Sequence, residues 1–442
     1  MRILAKDLKN AAARGDGDVV LSGWVHRIRE LGAVNFVVLR DRSGLAQLVL
    51  DKKYDLTPES VITARGEAAL NEKAPGGAEL RVTRLECLSR AAPDLPFRVN
   101  ADAGASGLEA LLDHRALSLR NLAVRAIFRV QSTIIEAFAD YLRKLDFTEI
   151  KTSKLVSGGT EGGTNLFAVE YFDRKVYLAQ SPQCYKQMLI ASGLERVFEI
   201  APAYRAEKHD TPRHLNEYVS LDLEMAFIES DRELIELEKG LLAHVFEEVA
   251  RKNAADLELW AKNGASVPSP EAVLDAPTVS YDDALKIANE AASKNAGSGK
   301  AGSKGGRIFD INPDAERYIC EWALREKGVD LAFVNEFPRR SRPFYTFPLD
   351  AVRTMAFDAL FRGIEITSGG RRHNDYAAQL EALPHFGVKP ESMEDYLSIF
   401  KYGCPPHGGF ATGLERLTAK ILGLASVKEA SLFPRDRRRV TP

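Results

Sequence analysis

The chain has 442 residues, 45% hydrophobic and 28% charged, a length and balance that favour two or more domains, each able to bury its own core. Lysine and arginine number 60 against 62 aspartates and glutamates, so the formal charge is −2 and any contact with nucleic acid must use local patches. No run of 18 apolar residues occurs, the first residues lack a signal-peptide stretch, and Cys87, Cys184, Cys320 and Cys404 form no C-x-x-C pair. A membrane, secreted, disulfide-stapled or zinc-knuckle protein is therefore not expected, and a reduced cytoplasmic setting fits.

In chain order, residues 19–25, 34–40, 45–50, 61–68 and 80–88 are rich in β-branched and apolar residues and read as five short strands. Turn signals separate them, such as Asp41-Arg42-Ser43-Gly44 and Ala74-Pro75-Gly76-Gly77. Five strands in about a hundred residues suit a small closed barrel, of which the OB-fold is the common oligonucleotide-binding form, with a β-sandwich as the alternative. The division expected is a barrel over 1–95, a polar hinge over 96–125 opened by Pro93 and Pro96, and a second domain over 126–442. Ile127, Val130, Ile134, Phe138, Tyr141 and Leu145 recur at helical spacing. Beyond them helices mix with antiparallel-looking strands at 196–204 and 218–227 without βαβ alternation, so the overall class is α+β rather than doubly wound. The Gly/Ser/Lys stretch 293–306 reads as a flexible connection. It is not a P-loop, because Ala301 follows Lys300 where a metal-binding Ser or Thr is needed.

Three segments concentrate charge, glycine and aromatic residues. In 198–227, two strand-like runs flank a loop carrying Arg205, Glu207, Lys208, His209, Arg213, His214 and Glu217. Two guanidinium forks eight residues apart can hold a polyphosphate, although an exposed, solvated hairpin carries such charges equally well. In 363–376, Glu365 and Ser368 bring a carboxylate and a hydroxyl oxygen together, a donor pair suited to Mg²⁺, with Arg372 following; the plain alternative is a strand ended by a Gly-Gly turn. In 405–424, glycines precede a helix that carries Arg416 among inward-facing Leu417, Ile421 and Leu424, and such an arginine needs an anionic partner.

Together and in this order, these segments resemble the three signature motifs of class II aminoacyl-tRNA synthetases. TEGGTNLF (160–167), SPQCYKQM (181–188), FEIAPAYRAE (198–207), RHLNE (213–217), GIEITSGG (363–370), PPHGGFATGLERL (405–417) and SLFPRDR (431–437) are similar to the archaeal-type aspartyl family along the whole chain. The resemblance implies an OB-fold anticodon-binding domain followed by a catalytic domain on a mixed, mostly antiparallel sheet flanked by helices. It implies a homodimer and ATP-dependent attachment of L-aspartate to tRNA through an aspartyl-adenylate, with Mg²⁺ as cofactor.

Arg205, Glu365 and Arg416 would be catalytic, and Glu365 and Ser368 would hold the metal. ATP would meet Arg205, Ala206, Glu207, Arg213, His214 and Leu215 from one side. From the other it would meet Glu365 and the run Gly413, Leu414, Glu415, Arg416. Lys186 and Arg372 would clamp the aspartate side chain, Glu161 and Gln183 its ammonium end, with Arg205 and Ser368 completing the subsite. Asparagine, isosteric but neutral, would leave two confined cations uncompensated. In the barrel, Phe36 would stack on an anticodon base while Arg29 and Gln47 read the central uridine.

Relatives restricted to tRNA-Asp tend to carry Trp and Lys where this chain has His26 and Pro75. The pair implies a non-discriminating enzyme that also charges tRNA-Asn, for later amidation by an amidotransferase. Three positions depart from the family pattern: Ser153 replaces a proline of the first motif, Arg371 replaces glutamine, and His373-Asn374-Asp375 breaks the usual basic/His run. The rivals are an asparaginyl-tRNA synthetase, disfavoured by Lys186, and an inactive tRNA-binding paralogue, disfavoured by the presence of Arg205, Glu365 and Arg416.

Overall fold

The structure, a computed structural model, describes residues 2–31, 34–159, 166–297 and 307–442, in two compact units, Met1–Ala110 and Leu111–Pro442. The division falls inside the 96–125 stretch, which is itself partly helical at Leu108–Asp113 and Arg115–Ser118.

In the first unit five strands, β1 (Val19–Leu31), β2 (Val34–Arg40), β3 (Leu45–Leu50), β4 (Val61–Leu70) and β5 (Ala78–Ser89), close in the order β1-β2-β3-β5-β4. Alternation drives the closure: Ala46, Leu48 and Leu50 of β3 and Val37 and Leu39 of β2 turn into one core, and the residues between them face outward. This is the five-stranded barrel that strand count and turn spacing predict.

The second unit adds β6 (Thr148–Glu149), β7 (Leu155–Val156), β8 (Ala168–Tyr171), β9 (Arg174–Leu178), β10 (Arg196–Tyr204), β11 (Glu217–Ala226), β12 (Thr278–Ser280), β13 (Leu331–Asn335), β14 (Ala356–Phe361), β15 (Ile364–Arg371) and β16 (His407–Gly413). Eight of these form one sheet in the order β12-β13-β14-β15-β16-β11-β10-β6, parallel only at its two edges. Helix Leu122–Lys144 starts at Asn121, whose side chain accepts from the amides of Ala123 and Val124. Its buried row is Ile127, Val130, Ile134, Phe138 and Leu142, with Tyr141 and Leu145 half-buried at the margin. Helix Asp231–Lys252 starts from a Ser230/Glu233 capping box. Central strand β14 is buried at every position, as expected where both faces of a sheet are covered.

None of the four cysteines is in a disulfide; Cys87 is exposed and the others are buried. Among the described residues no helix is long and apolar enough to cross a membrane. Residues 293–297 continue helix Tyr281–Gly297, and the remainder of the predicted 293–306 connection lies outside the described residues.

Candidate active site

A cleft opens on one face of the large sheet, floored by Ser220 of β11, Ser368 of β15 and Ala411 of β16 and walled by Arg205, Glu207, Arg213, His214, Glu365 and Arg416. The β10–β11 pair is the hairpin expected over 198–227, in continuous register from Arg196↔Met225 to Tyr204↔Glu217. Glu365 and Ser368, three apart, would face opposite ways in a regular strand. A bulge resolves this: Asp358 pairs with Ser368 and Leu360 with Glu365, and the register shifts between Ala359 and Leu360. One residue of β15 is thereby left unpaired, so both oxygen donors line the same cleft. Gly369 and Gly370 continue the strand instead of turning.

The cations of the cleft are held from behind. Arg416, on helix Leu414–Leu422, donates to the Glu365 carbonyl at 2.8 Å and to its Oε1 at 3.3 Å. Arg213 is ion-paired with Glu316, whose carboxylate also accepts from the Glu365 amide at 3.2 Å. Arg205 lies over the Tyr218 ring, 5.6 Å from its centroid, and its backbone is pinned by Asn216. His214 meets the Thr211 hydroxyl at 2.6 Å; burial lowers its pKa below the ordinary histidine range, with Glu207 pulling the other way. Glu415 turns inward and accepts the Val219 amide, and burial pushes its carboxyl up to about 7. Such an array of guanidinium groups, with a carboxylate and a hydroxyl, can hold a nucleoside triphosphate and a divalent cation. The hard oxygen donors Glu365 and Ser368 fit Mg²⁺, which takes few protein ligands and completes its shell with phosphate and water. No cluster of three or more His, Cys, Asp or Glu suited to a tighter metal exists among the described residues.

Beside the cleft is a buried four-charge cluster. Lys186, 2% exposed on helix Gln183–Leu189, donates to Asp222 Oδ1 and to the Leu223 carbonyl, and lies against Glu224 Oε2, all at 3.1 Å. Arg372 donates from Nε to Glu224 Oε1 at 2.9 Å and from Nη2 to the Gly409 carbonyl at 2.9 Å and Gln183 Oε1 at 3.4 Å. Burial opposes a charge on Glu224, yet Arg372 and Lys186 keep its pKa below the usual carboxylate range. The expectation of two uncompensated cations is thus corrected: Lys186 and Arg372 converge, but on two carboxylates of the protein. Lys186 donates two hydrogen bonds and is ion-paired with Glu224, so an incoming carboxylate competes with acceptors already in place.

Gln183 Nε2 and Asp222 Oδ2 are buried and have no hydrogen-bond partner among the described residues. One is a donor and the other an acceptor, a complement to the carboxylate and ammonium of an amino acid. In this arrangement Gln183 offers a donor, which suits a carboxylate, and Asp222 is the better partner for an ammonium. Gly409 is obligatory here, because a Cβ would lie 2.1 Å from the Leu223 carbonyl oxygen and 2.4 Å from Glu224 Oε2.

Asp222, Glu224, Glu316 and Asp358 did not emerge from the sequence reading. The i, i+2 acids of LDLEM in an otherwise apolar strand were the available signal for the first two. Ala206, Leu215, Gly413 and Leu414 lie on the elements expected, Leu215 and Leu414 buried. Glu161 lies outside the described residues. Arg371 points out of the pocket, donating to the Glu229 carbonyl at 2.9 Å and stacking 3.9 Å over Phe347. His373 is buried, with its pKa lowered to about 4 by that burial, and Ser153 bonds the Leu155 carbonyl.

On the barrel, Arg29 pairs with Phe36 across β1 and β2, Phe36 with Val49 across β2 and β3, and Gln47 stands two residues from Val49. The three side chains therefore share the outer face, and Gln47 donates to Glu79 at 3.0 Å. His26 is the extra residue of a bulge in β1; its Nδ1 lies 3.1 Å from Arg40 Nη1, and Arg40 is locked to Glu59 in a buried ion pair at 2.6 Å. Pro75 sits in the short turn between β4 and β5.

Residues 107–437 match the model of tRNA synthetases class II (D, K and N), and residues 19–88 match the OB-fold nucleic acid binding domain. The chain is 43% identical to an aspartate–tRNA(Asp/Asn) ligase of Thermus thermophilus over the full length of both. It is 39% identical to an aspartate–tRNA(Asp) ligase of Pyrococcus horikoshii, covering 96% of each. Among solved structures, asparaginyl-tRNA synthetase from Pyrococcus horikoshii complexed with asparaginyl-adenylate superposes with a TM-score of 0.86 at 31% identity, over 98% of each chain. With a class II synthetase domain matched over residues 107–437, an OB-fold domain over 19–88 and relatives of about 40% identity along the whole chain, the protein belongs to the class II tRNA synthetases of the D, K and N group.

Proposed function

We propose that the protein ligates L-aspartate to tRNA in two steps, charging both tRNA-Asp and tRNA-Asn. The observation that carries the substrate is the Lys186–Asp222–Glu224–Arg372 cluster beside a cleft lined with arginines. In the first step the aspartate α-carboxylate attacks the α-phosphorus of ATP. The new acyl–phosphate bond forms as the bond to pyrophosphate breaks. In the second, a hydroxyl of the terminal tRNA ribose attacks the acyl carbon and AMP leaves. Neither step calls for a protein nucleophile, so the chain's contribution is position and charge.

Arg205 binds the α-phosphate and the reacting carboxylate; Glu207 reads adenine; Arg213, His214 and Arg416 hold the distal phosphates. Glu365 and Ser368 would hold Mg²⁺, which neutralises phosphate charge as pyrophosphate departs. Asp222 and Glu161 hold the substrate ammonium. The aspartate side chain exchanges with a protein carboxylate for a place on Lys186 and faces Arg372. Asparagine cannot make that exchange, since a neutral amide does not replace a carboxylate on an ammonium in a buried site.

Phe36, Arg29 and Gln47 form the anticodon face. His26 and Pro75 support relaxed reading of the third anticodon base, in line with the Asp/Asn name of the Thermus relative. The reading includes a cytoplasmic homodimer and a downstream amidotransferase for Asp-tRNA-Asn. Charging of purified tRNA-Asp and tRNA-Asn with labelled aspartate tests it. Efficiencies within tenfold of each other support a dual role; a larger preference for tRNA-Asp restricts the enzyme to that tRNA.

A further inference from the structure

The barrel holds a buried ion pair that has no task in the anticodon reading above. Arg40, the last residue of β2, and Glu59 are 1% and 3% exposed. Arg40 Nη1 and Nη2 grip the two Glu59 oxygens at 3.0 and 2.6 Å. Glu59 is built into this position: its φ is +67°, a region uncommon outside glycine, and its amide donates to the Val25 carbonyl at 2.8 Å. The same Nη1 reaches a third acceptor, His26 Nδ1, at 3.1 Å. The bulge takes His26 out of the β1–β2 ladder, and the next residue, Arg27, shares a row with Val38 and Gln47. His26 thus stands beside the face that carries Arg29, Phe36 and Gln47.

A guanidinium has five N–H donors and no acceptor, so the ring nitrogen facing it offers a lone pair. His26 is therefore neutral in this contact, with its proton on Nε2 at the far edge of the ring. Burial and then Arg40 hold its pKa below the ordinary histidine range, Glu59 pulling the other way and Arg27 adding to Arg40. The His26 carbonyl accepts from Asn100 Nδ2 at 3.0 Å, so backbone and ring are both held, and among the described residues Nε2 has no partner. The ring lines an open groove shared with Arg27, Phe97 and Arg98.

We propose that Arg40 is a positioning residue for anticodon reading, fixing the His26 ring through Nδ1 so that Nε2 meets the tRNA as a donor and never as an acceptor. Codons for aspartate and asparagine begin with G and A, so the third anticodon base is cytosine in tRNA-Asp and uracil in tRNA-Asn. The two bases share the O2 acceptor. They differ at N3 and position 4, where cytosine presents a lone pair and an amino group, uracil an N–H and a carbonyl. One fixed donor is met by O2 of either base and leaves the differing edge unread. Relaxed reading then comes from a locked ring, whereas a ring free to turn or change tautomer would also offer a lone pair to the edge on which the bases differ. The inference rests on the reading that His26 faces the third anticodon base.

The test uses the whole protein as wild type, His26→Ala, Arg40→Lys, the pair Arg40→Met with Glu59→Met, which leaves no buried charge behind, and that pair combined with His26→Ala. Charging is measured on tRNA-Asp transcripts carrying cytosine or uracil at the third anticodon position. His26→Ala and the methionine pair should each lower charging efficiency about fivefold, the scale of one hydrogen bond, and equally for the two transcripts. The combined variant should be no worse than His26→Ala, because the effect of Arg40 passes through that ring. Arg40→Lys, whose ammonium also only donates, should restore most of the loss. Independently of charging, the imidazole nitrogen signals of ¹⁵N-histidine-labelled wild type, assigned by their absence in His26→Ala, should show a lone pair on Nδ1 and a proton on Nε2. A wild-type-like His26→Ala removes the placement of His26 on the base, and the proposal with it. An impaired His26→Ala beside a wild-type-like methionine pair, multiplied losses in the combined variant, an Arg40→Lys as poor as the methionine pair, or a proton on Nδ1 overturns the role of Arg40 while sparing that placement. A loss confined to one transcript overturns the shared-acceptor chemistry. Should the methionine pair melt far below wild type, the nitrogen signals of the wild type carry the same expectation and the same refutation.

Discussion

Replacing Lys186 by methionine perturbs the proposed amino-acid pocket with little change of volume. In the native cluster Lys186 and Arg372 balance Asp222 and Glu224, so an aspartate side chain enters a pocket of zero net charge. In Lys186→Met the same carboxylate enters a pocket of net −1. One added like-charge interaction at ~4 Å and an effective dielectric of ~20 costs about 4 kcal/mol, nearly a thousandfold in kcat/KM for aspartate. Asparagine carries no charge and escapes that term, so the aspartate-to-asparagine ratio should collapse while absolute rates fall. The assay is ATP–pyrophosphate exchange with each amino acid, alongside a thermal melt showing the variant folded. Exchange with aspartate within about threefold of wild type, in folded protein, would refute the electrostatic reasoning.

Three further outcomes follow from single sites. Glu238 is fully buried, and that burial pushes its carboxyl up to about 8, the Thr367 hydroxyl offsetting part of this. The folded state therefore keeps a proton that the unfolded chain loses above pH ~4.5, and stability drops as pH rises from there to about 8, by ~1.4 kcal/mol per unit. Chemical denaturation from pH 5 to 9 should show Glu238→Gln gaining on wild type across that window; a constant difference would contradict the buried-proton account. Gly409→Ala should abolish aspartate activation by displacing Glu224, and steady-state kinetics showing an unchanged KM for aspartate would count against this. Phe36→Ala should raise KM for tRNA by a factor equivalent to about 1–3 kcal/mol and leave pyrophosphate exchange untouched; a loss of exchange would place Phe36 in the barrel's structure instead.

How far the sequence carried depends on range. The five barrel strands and the 198–227 hairpin were legible because alternation and turn residues act locally. Helix Leu122–Lys144 was legible in position, though its seam ended on Leu142 rather than Leu145. That Glu365 and Ser368 share a face was not derivable from spacing, since a period of two separates them and only the bulge against β14 reunites them. Gly369 and Gly370 read as a turn in isolation, yet the ladders with β14 and β16 hold them extended. Glu316 and Asp358 carry no local signal, and Asp222 and Glu224 only that of an acid pair in an apolar strand, for the same reason: each gains meaning from a cation that the fold brings to it, Lys186, Arg372, Arg213 or Arg342. The sequence points to Arg213 and Arg416 as phosphate ligands, whereas their pairing with Glu316 and Glu365 is set only by the tertiary fold.

The most direct measurement is ATP–pyrophosphate exchange by the protein with Mg²⁺ and no tRNA, comparing aspartate with asparagine at equal concentration. The buried charge cluster predicts vigorous exchange with aspartate and at least a hundredfold less with asparagine, the scale of discrimination available to a site built around charged hydrogen-bond partners. Equal exchange with the two amino acids, or exchange with asparagine alone, would contradict the assignment of Lys186 and Arg372 as the determinants of the substrate.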